Sequence, residues 1–311
     1  MKKFMSLFVA FVLIFVVSAC GNDTKDEGTK DKVETVTVTH DLGTTEVEKN
    51  PKKVVVFDFG TLDTLDALDV DVVGVPKDSI PSYLKKFDDA KYENVGGLKE
   101  PDFEKISEIN PDLIIISGRQ ADMYEEFTKI AKTIYMGVDT ANYIESFETN
   151  VRTLAEIFDK VDLAEEKLAT IAAATTDLNT KAVESAKNGL IILANDGKIS
   201  AYGPNSRFGI IHDVFGVPAA DDTIEVSTHG QGVSFEYILE KNPDYLFVVD
   251  RGAVVGGESS AKKVIENTIV KKTKAYKEGK IIYLNPDYWY LSGGGLVSVA
   301  EMAKEIAEGI K

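Results

Sequence analysis

Short continuous apolar runs alternate along this chain with segments whose apolar residues recur every three or four positions. KKVVVFDFG predicts a buried strand over Lys53–Asp58, and TLDTLDALDV a short helix with Leu62, Leu65 and Leu68 on one face. VDVVGVP is a further strand. Asp102 is then a plausible N-cap, Phe103, Ile106 and Ile109 form an apolar stripe, and Asn110 with Pro111 stops the helix. LIIIS follows as a strand apolar enough to be buried on both faces. Helical patterns continue over Ile144–Asp159 and over Asp162–Ala186, the latter free of glycine and proline. At about 1.5 Å per residue the second spans roughly 35 Å, either as a spine between lobes or packed within one. NGLIILAND opens another strand region, IILANDGKISAY is predicted as a strand, and KIIYLNPDYWYLSGGGL gives a strand, an aromatic loop and a glycine-rich lead into a last helix at Leu296–Ile310.

One unit occurs twice. FEKISEINPDLIIISGR, residues 103–119, returns as FEYILEKNPDYLFVVDR, residues 235–251, with eight of seventeen positions identical at a constant offset of 132. Alternating strands and helices with such a repeat predict an α/β fold: two Rossmann-like lobes with mainly parallel sheets, one long connecting helix, and a ligand cleft between the lobes. The expected boundaries are a signal peptide at 1–19, a tether at 20–39 ending in a first strand near Glu34–Thr39, an N-terminal lobe at 40–161, the connecting helix at 162–186 and a C-terminal lobe at 187–311. A length of 311 residues suits two domains.

The first residues, MKKFMSLFVAFVLIFVVSAC, read as an export signal: two lysines, an apolar run from Phe4 to Val17, and small residues before the only cysteine. A retained membrane anchor is the alternative, but the run is short, and Val17-Ser18-Ala19-Cys20 resembles a bacterial lipobox, which implies cleavage before Cys20 and lipidation of its thiol. Loss of Lys2 and Lys3 would take the formal charge from -16 to -18. So acidic a protein is a poor binder of nucleic acid. No P-loop, GxSxG, HExxH or GxGxxG after a strand is present, and His40, His212 and His229 lack metal-ligand spacing.

Arg119 and Arg251 hold matching places just beyond the two repeated strands. In open parallel sheets ligands bind past the carboxyl ends of the strands, so two facing lobes would bring both guanidiniums to one cleft, suited to carboxylate, catecholate or phosphate oxygens. Arg207, in YGPNSRFG, offers a third positive charge. His229, in STHGQG, is a lone loop histidine, for which an ordinary hydrogen-bonding role competes with ligation. Asp287-Tyr288-Trp289-Tyr290 beside Ser292-Gly293-Gly294-Gly295 puts aromatics next to mobile backbone, either as core or as a wall for a flat ring. Glu104 and Glu236 sit second in the repeated helices, where a carboxylate favours the positive helix end; matching placement also suits docking onto a two-fold partner.

The lipobox, two lobes, NPD-ended helices and paired glutamates together resemble the substrate-binding lipoproteins of iron-siderophore ABC importers. KNPKKVVVFDFGTLDTLDAL, ANDGKISAYGPNSRFGIIHDVFGV, STHGQ, NPDYLFVVDRG and WYLSGGGL are similar to the subgroup that binds petrobactin and other catecholate siderophores. The resemblance implies a non-enzymatic monomer with no permanent cofactor, lipid-anchored on the outer face of a Gram-positive cell membrane. Its ligand would be a ferric siderophore held by Arg119, Arg207 and Arg251, with Trp289 beside them. His229 and Tyr290 match positions that can ligate Fe(III) directly, and Glu104 and Glu236 would meet a dimeric permease and its ATPase. A small hinge motion is the family expectation. Haem or cobalamin capture on the same fold, an anchored hydrolase and an adhesive surface protein are the competing readings.

Overall fold

A computed structural model describes residues 34–257 and 260–311. The export signal, Cys20 and the expected tether up to residue 33 lie outside the described residues. Residues 34–311 form one compact unit.

The first described element is the hairpin β1 (Thr35–His40) and β2 (Gly43–Glu48), whose buried positions alternate with exposed ones. It begins where the tether was expected to end, so the folded unit starts before residue 40. The N-terminal sheet contains β3 (Val54–Val56), β4 (Gly74–Val75), β5 (Glu93–Asn94), β6 (Leu113–Ile116) and β7 (Thr133–Tyr135). Their order is β5-β4-β3-β6-β7, and all pairs are parallel. The central strands β3 and β6 are buried throughout, as expected of a sheet covered on both faces.

The C-terminal sheet contains β8 (Gly189–Asn195), β9 (Lys198–Tyr202), β10 (Gln231–Val233), β11 (Tyr245–Asp250) and β12 (Ile281–Leu284), in the order β10-β9-β8-β11-β12. Here β8, β11 and β12 are parallel, whereas β9 pairs antiparallel with β8 on one side and with β10 on the other. IILANDGKISAY is therefore two strands and not one. Asp196 and Gly197 take positive φ of 46° and 84° and turn the chain back, as a two-residue hairpin requires.

The repeat is structural. The helices Phe103–Ile109 and Phe235–Lys241 both end on an asparagine in the left-handed region, Asn110 at φ 51° and Asn242 at φ 42°. Asp112 and Asp244 then do the same work, accepting main-chain N–H groups of Lys52 and Lys53 and of Asn188 at 2.8–2.9 Å. Each thereby ties the foot of its strand to a preceding segment.

The spine helix runs from Val161 to Ser185 and the closing helix from Leu296 to Gly309. One apolar cluster joins Leu68, Phe147 of the helix Tyr143–Ile157, Leu168 and Ile171 of the spine, Val299 and Met302 of the closing helix, and Ile191 and Phe247 of the C-terminal sheet. At about 1.5–3 kcal/mol for each large side chain buried, separating the halves widely would be costly.

Candidate ligand site at the meeting of the two sheets

Three arginines converge on Tyr290. Arg119 follows β6, and its Nη2 donates to the Tyr290 main-chain carbonyl at 2.6 Å, with Nη1 3.3 Å from the Leu291 carbonyl. Arg207 Nη2 donates to the same Tyr290 carbonyl at 2.8 Å. Arg251 follows β11; its Nε donates to the Tyr290 hydroxyl at 2.8 Å and its Nη1 to Asn195 Oδ1 at 2.8 Å. The guanidinium carbons of Arg207, Arg251 and Arg119 stand 4.3, 5.7 and 5.9 Å from the centre of the Tyr290 ring, within cation–π range.

Each arginine is fixed by its neighbours. Gln120, fully buried, donates to the Leu98 carbonyl at 2.6 Å and accepts from Ser117 N, which locks the bend that carries Arg119. The Arg207 loop is capped by Asp213, whose Oδ2 accepts from Asn205 N at 2.7 Å, and Thr140 from the other half donates to the Asn205 carbonyl at 3.1 Å. Behind Arg251, Asp250 accepts from the N–H groups of Ala253 and Ala261.

Burial, then the charge of Arg207, pull the Arg119 guanidinium below its ordinary range, and the nearby Asp58 charge opposes them. Arginine nevertheless stays charged at any physiological pH. Asp58 is buried; it caps the helix Phe59–Ala67 through Thr61 N at 2.7 Å and accepts from the Ser117 hydroxyl at 2.8 Å. Burial raises its carboxyl. For Tyr290, burial pushes the phenol up, but the Arg251 hydrogen bond and the charges of Arg207, Arg251 and Arg119 outweigh it and hold the phenol below its ordinary value.

Arg119, Arg251, Tyr290, Leu98, Lys99 and Val255 line an open pocket of about 260 Å³ with walls from both halves. Arg119, Arg251 and Lys99 outnumber Asp78 and Glu100 in its lining, and with Leu98 and Val255 beside them they suit an anionic ligand carrying flat or apolar parts.

Tyr290 lies on a π-helical turn, Asp287–Ser292, instead of the expected loop. Such turns are rare and frequent at functional sites. The chain after it is closely packed: a Cβ on Gly294 would stand 2.4 Å from Val138 Cγ2, one on Gly295 2.1 Å from Asp63 Oδ1, and one on Gly60 2.6 Å from the Gly293 carbonyl. Gly293 and Gly294 also take positive φ of 45° and 89°.

Trp289 does not belong to this site. It is 3% exposed, sits in the main apolar cluster and donates its indole N–H to Glu305 Oε2 at 2.7 Å. The period of a helical turn explains why: consecutive residues point to different sides, so Tyr290 faces the arginines while Trp289 faces the core. His229 is exposed on the turn Ser227–Gly230 and, among the described residues, makes no hydrogen bond or ion pair. Glu104 and Glu236 are exposed in the first turns of the repeated helices. Sequence reasoning missed Asp58, Gln120, Asn195 and the Tyr290 carbonyl. Of these only Asp58 left a trace, as the acid directly before a helical pattern; a main-chain acceptor leaves none.

Among the described residues, no helix is long and apolar enough to cross a membrane. Residues 54–288 match the family described as periplasmic binding protein. The petrobactin-binding protein YclQ of Bacillus subtilis is 57% identical over 316 residues, covering all of both chains. Its crystal structure superposes with a TM-score of 0.88 over 89% of this chain and 99% of that one. The ferric-anguibactin-binding protein FatB of Vibrio anguillarum is 32% identical, over 99% of this chain and 98% of the relative. With that match over most of its length, and with a relative 57% identical over the whole chain, this chain belongs to the periplasmic binding protein family.

Proposed function

We propose that this protein is the extracytoplasmic ferric-siderophore-binding component of an ABC iron importer, with a catecholate ligand of the petrobactin type, and that it binds without catalysis. The observation that carries the reading is the convergence of Arg119, Arg207 and Arg251 on Tyr290 beside a pocket open to both halves. Their charge would neutralise the anionic complex locally although the whole chain is at -16, because bulk charges are screened beyond about 8–10 Å at physiological salt. The relatives named for petrobactin and ferric anguibactin support the ligand class. Tyr290, as a phenolate donor, and His229 from its exposed turn would complete the iron shell when a siderophore leaves positions open. Glu104 and Glu236 would dock on the permease, and a lipid on Cys20 would hold the protein at the membrane.

The test is a binding screen by fluorescence quenching with iron-loaded catecholate, citrate-catecholate and hydroxamate siderophores, together with haem and cobalamin. Tightest binding of a catecholate or citrate-catecholate supports the proposal; preference for haem or cobalamin, or no binding at all, overturns it.

A further inference from the structure

The turn that carries Tyr290 is gripped at both ends by two consecutive residues of the N-terminal half. At its start, Asp287 Oδ2 accepts from Ser82 N at 2.9 Å and also from the Ser82 hydroxyl. At its end, the Tyr83 hydroxyl lies 2.7 Å from Ser292 Oγ and 2.9 Å from Asp63 Oδ2, while the Tyr83 ring meets the Tyr288 ring at 4.7 Å. Asp63, fully buried, reaches on to the closing helix, where it accepts from Val297 N at 3.1 Å and Ser298 N at 3.0 Å; next to it, Thr64 Oγ1 accepts from Leu296 N. Gly60 and Gly295 permit this approach, since a Cβ on either would collide with main chain.

A helix start can be capped by an exposed serine or asparagine at little cost, whereas a buried ionisable carboxyl carries a desolvation cost that its hydrogen bonds must offset. Here that carboxyl is tied to a six-residue π-turn, a rare form found mostly as single turns, whose Tyr290 carbonyl faces Arg119 and Arg207 while its hydroxyl faces Arg251. We propose that Asp63 and Tyr83 are positioning residues for ligand binding, a buried clamp that fixes the turn so that Tyr290 meets all three arginines at once. This rests on reading the arginine cluster as the ligand site.

Two readouts on the full-length protein test it: hydrogen–deuterium exchange of the main-chain N–H groups over residues 287–293, and the Kd for an iron-loaded catecholate. Tyr83→Phe should speed exchange in that turn and weaken binding, each about tenfold, the effect of losing roughly one hydrogen bond's worth of order, with a thermal midpoint within a few degrees of the parent. Asp63→Asn should act in the same direction and more strongly; should it fail to fold, Tyr83→Phe still decides. A folded Tyr83→Phe protein whose turn exchanges like the parent's, or that binds like the parent, overturns the clamp. If the parent binds no siderophore, the functional reading falls, and the exchange of the turn still judges whether Tyr83 holds it, because it needs no ligand.

Discussion

Arg119 and Arg251, 132 residues apart in the chain, grip the same residue from opposite sides: one donates to the Tyr290 carbonyl and the other to the Tyr290 hydroxyl. The repeat thus delivers equivalent cations to one point, and Tyr290 is where the two halves of the molecule are joined electrostatically.

The first consequence is spectroscopic. Because the three guanidiniums outweigh burial and lower the Tyr290 phenol, one of the twelve tyrosines should ionise ahead of the rest in an alkaline ultraviolet titration. Tyr290→Phe should remove that early step, and Arg251→Met should shift it upward. An early step that survives Tyr290→Phe would assign it elsewhere and contradict the arrangement.

Trp289 is a core residue, so Trp289→Phe should cost stability and not affinity. The Glu305 carboxylate loses its indole donor, a penalty of about 1–3 kcal/mol, or several degrees in Tm for a domain of this size. Calorimetric Kd should stay within about threefold of the parent. A tenfold loss of affinity with unchanged Tm would return Trp289 to the ligand wall.

How much of this could be read from the sequence follows from what kind of signal each feature leaves. The apolar runs at β6 and β11 and the Asn-Pro-Asp stops are local, and they located both lobes and both repeat arginines. Arg207 could be named because it lies in a recognisable turn. The expected strand IILANDGKISAY hid a hairpin because Asp196-Gly197 was read as part of the run instead of as a turn. The triple glycine suggests freedom when read alone, yet its meaning depends on Asp63 and Gly60, more than 230 positions away, and no periodicity reports such a contact. Trp289 and Tyr290 are adjacent aromatics that only helical geometry separates into core and cleft.

Asp63 makes a pH prediction. Burial pushes its carboxyl up to about 7 against the pull of the Ser298, Val297 and Tyr83 donors, whereas an unfolded aspartate titrates near ~3.9. Between about pH 4 and 7 the folded protein therefore holds a proton that the unfolded chain has released, and stability from this group falls as pH rises through that window. Denaturant titrations of the parent minus Asp63→Asn should show a decline on the order of 3–4 kcal/mol across it and flat limbs outside. A difference that is constant or rises with pH would contradict the assignment.

Glu104 and Glu236 stand exposed on matching helix starts, remote in role from the arginines. Replacing both by lysine should leave siderophore Kd unchanged and abolish iron uptake in cells that depend on this protein. Normal uptake by the double variant would remove them from the permease contact.

If cations from both halves bind one anionic iron chelate, the Kd of Arg119→Ala and of Arg251→Ala for an iron-loaded catecholate siderophore, read from quenching of Trp289 and the tyrosines, decides it. The arrangement predicts that each variant, still folded, binds about 10- to 100-fold more weakly, as expected for losing a charge-assisted hydrogen bond of ~1.5–3 kcal/mol. Parent-like affinity in both variants would contradict it.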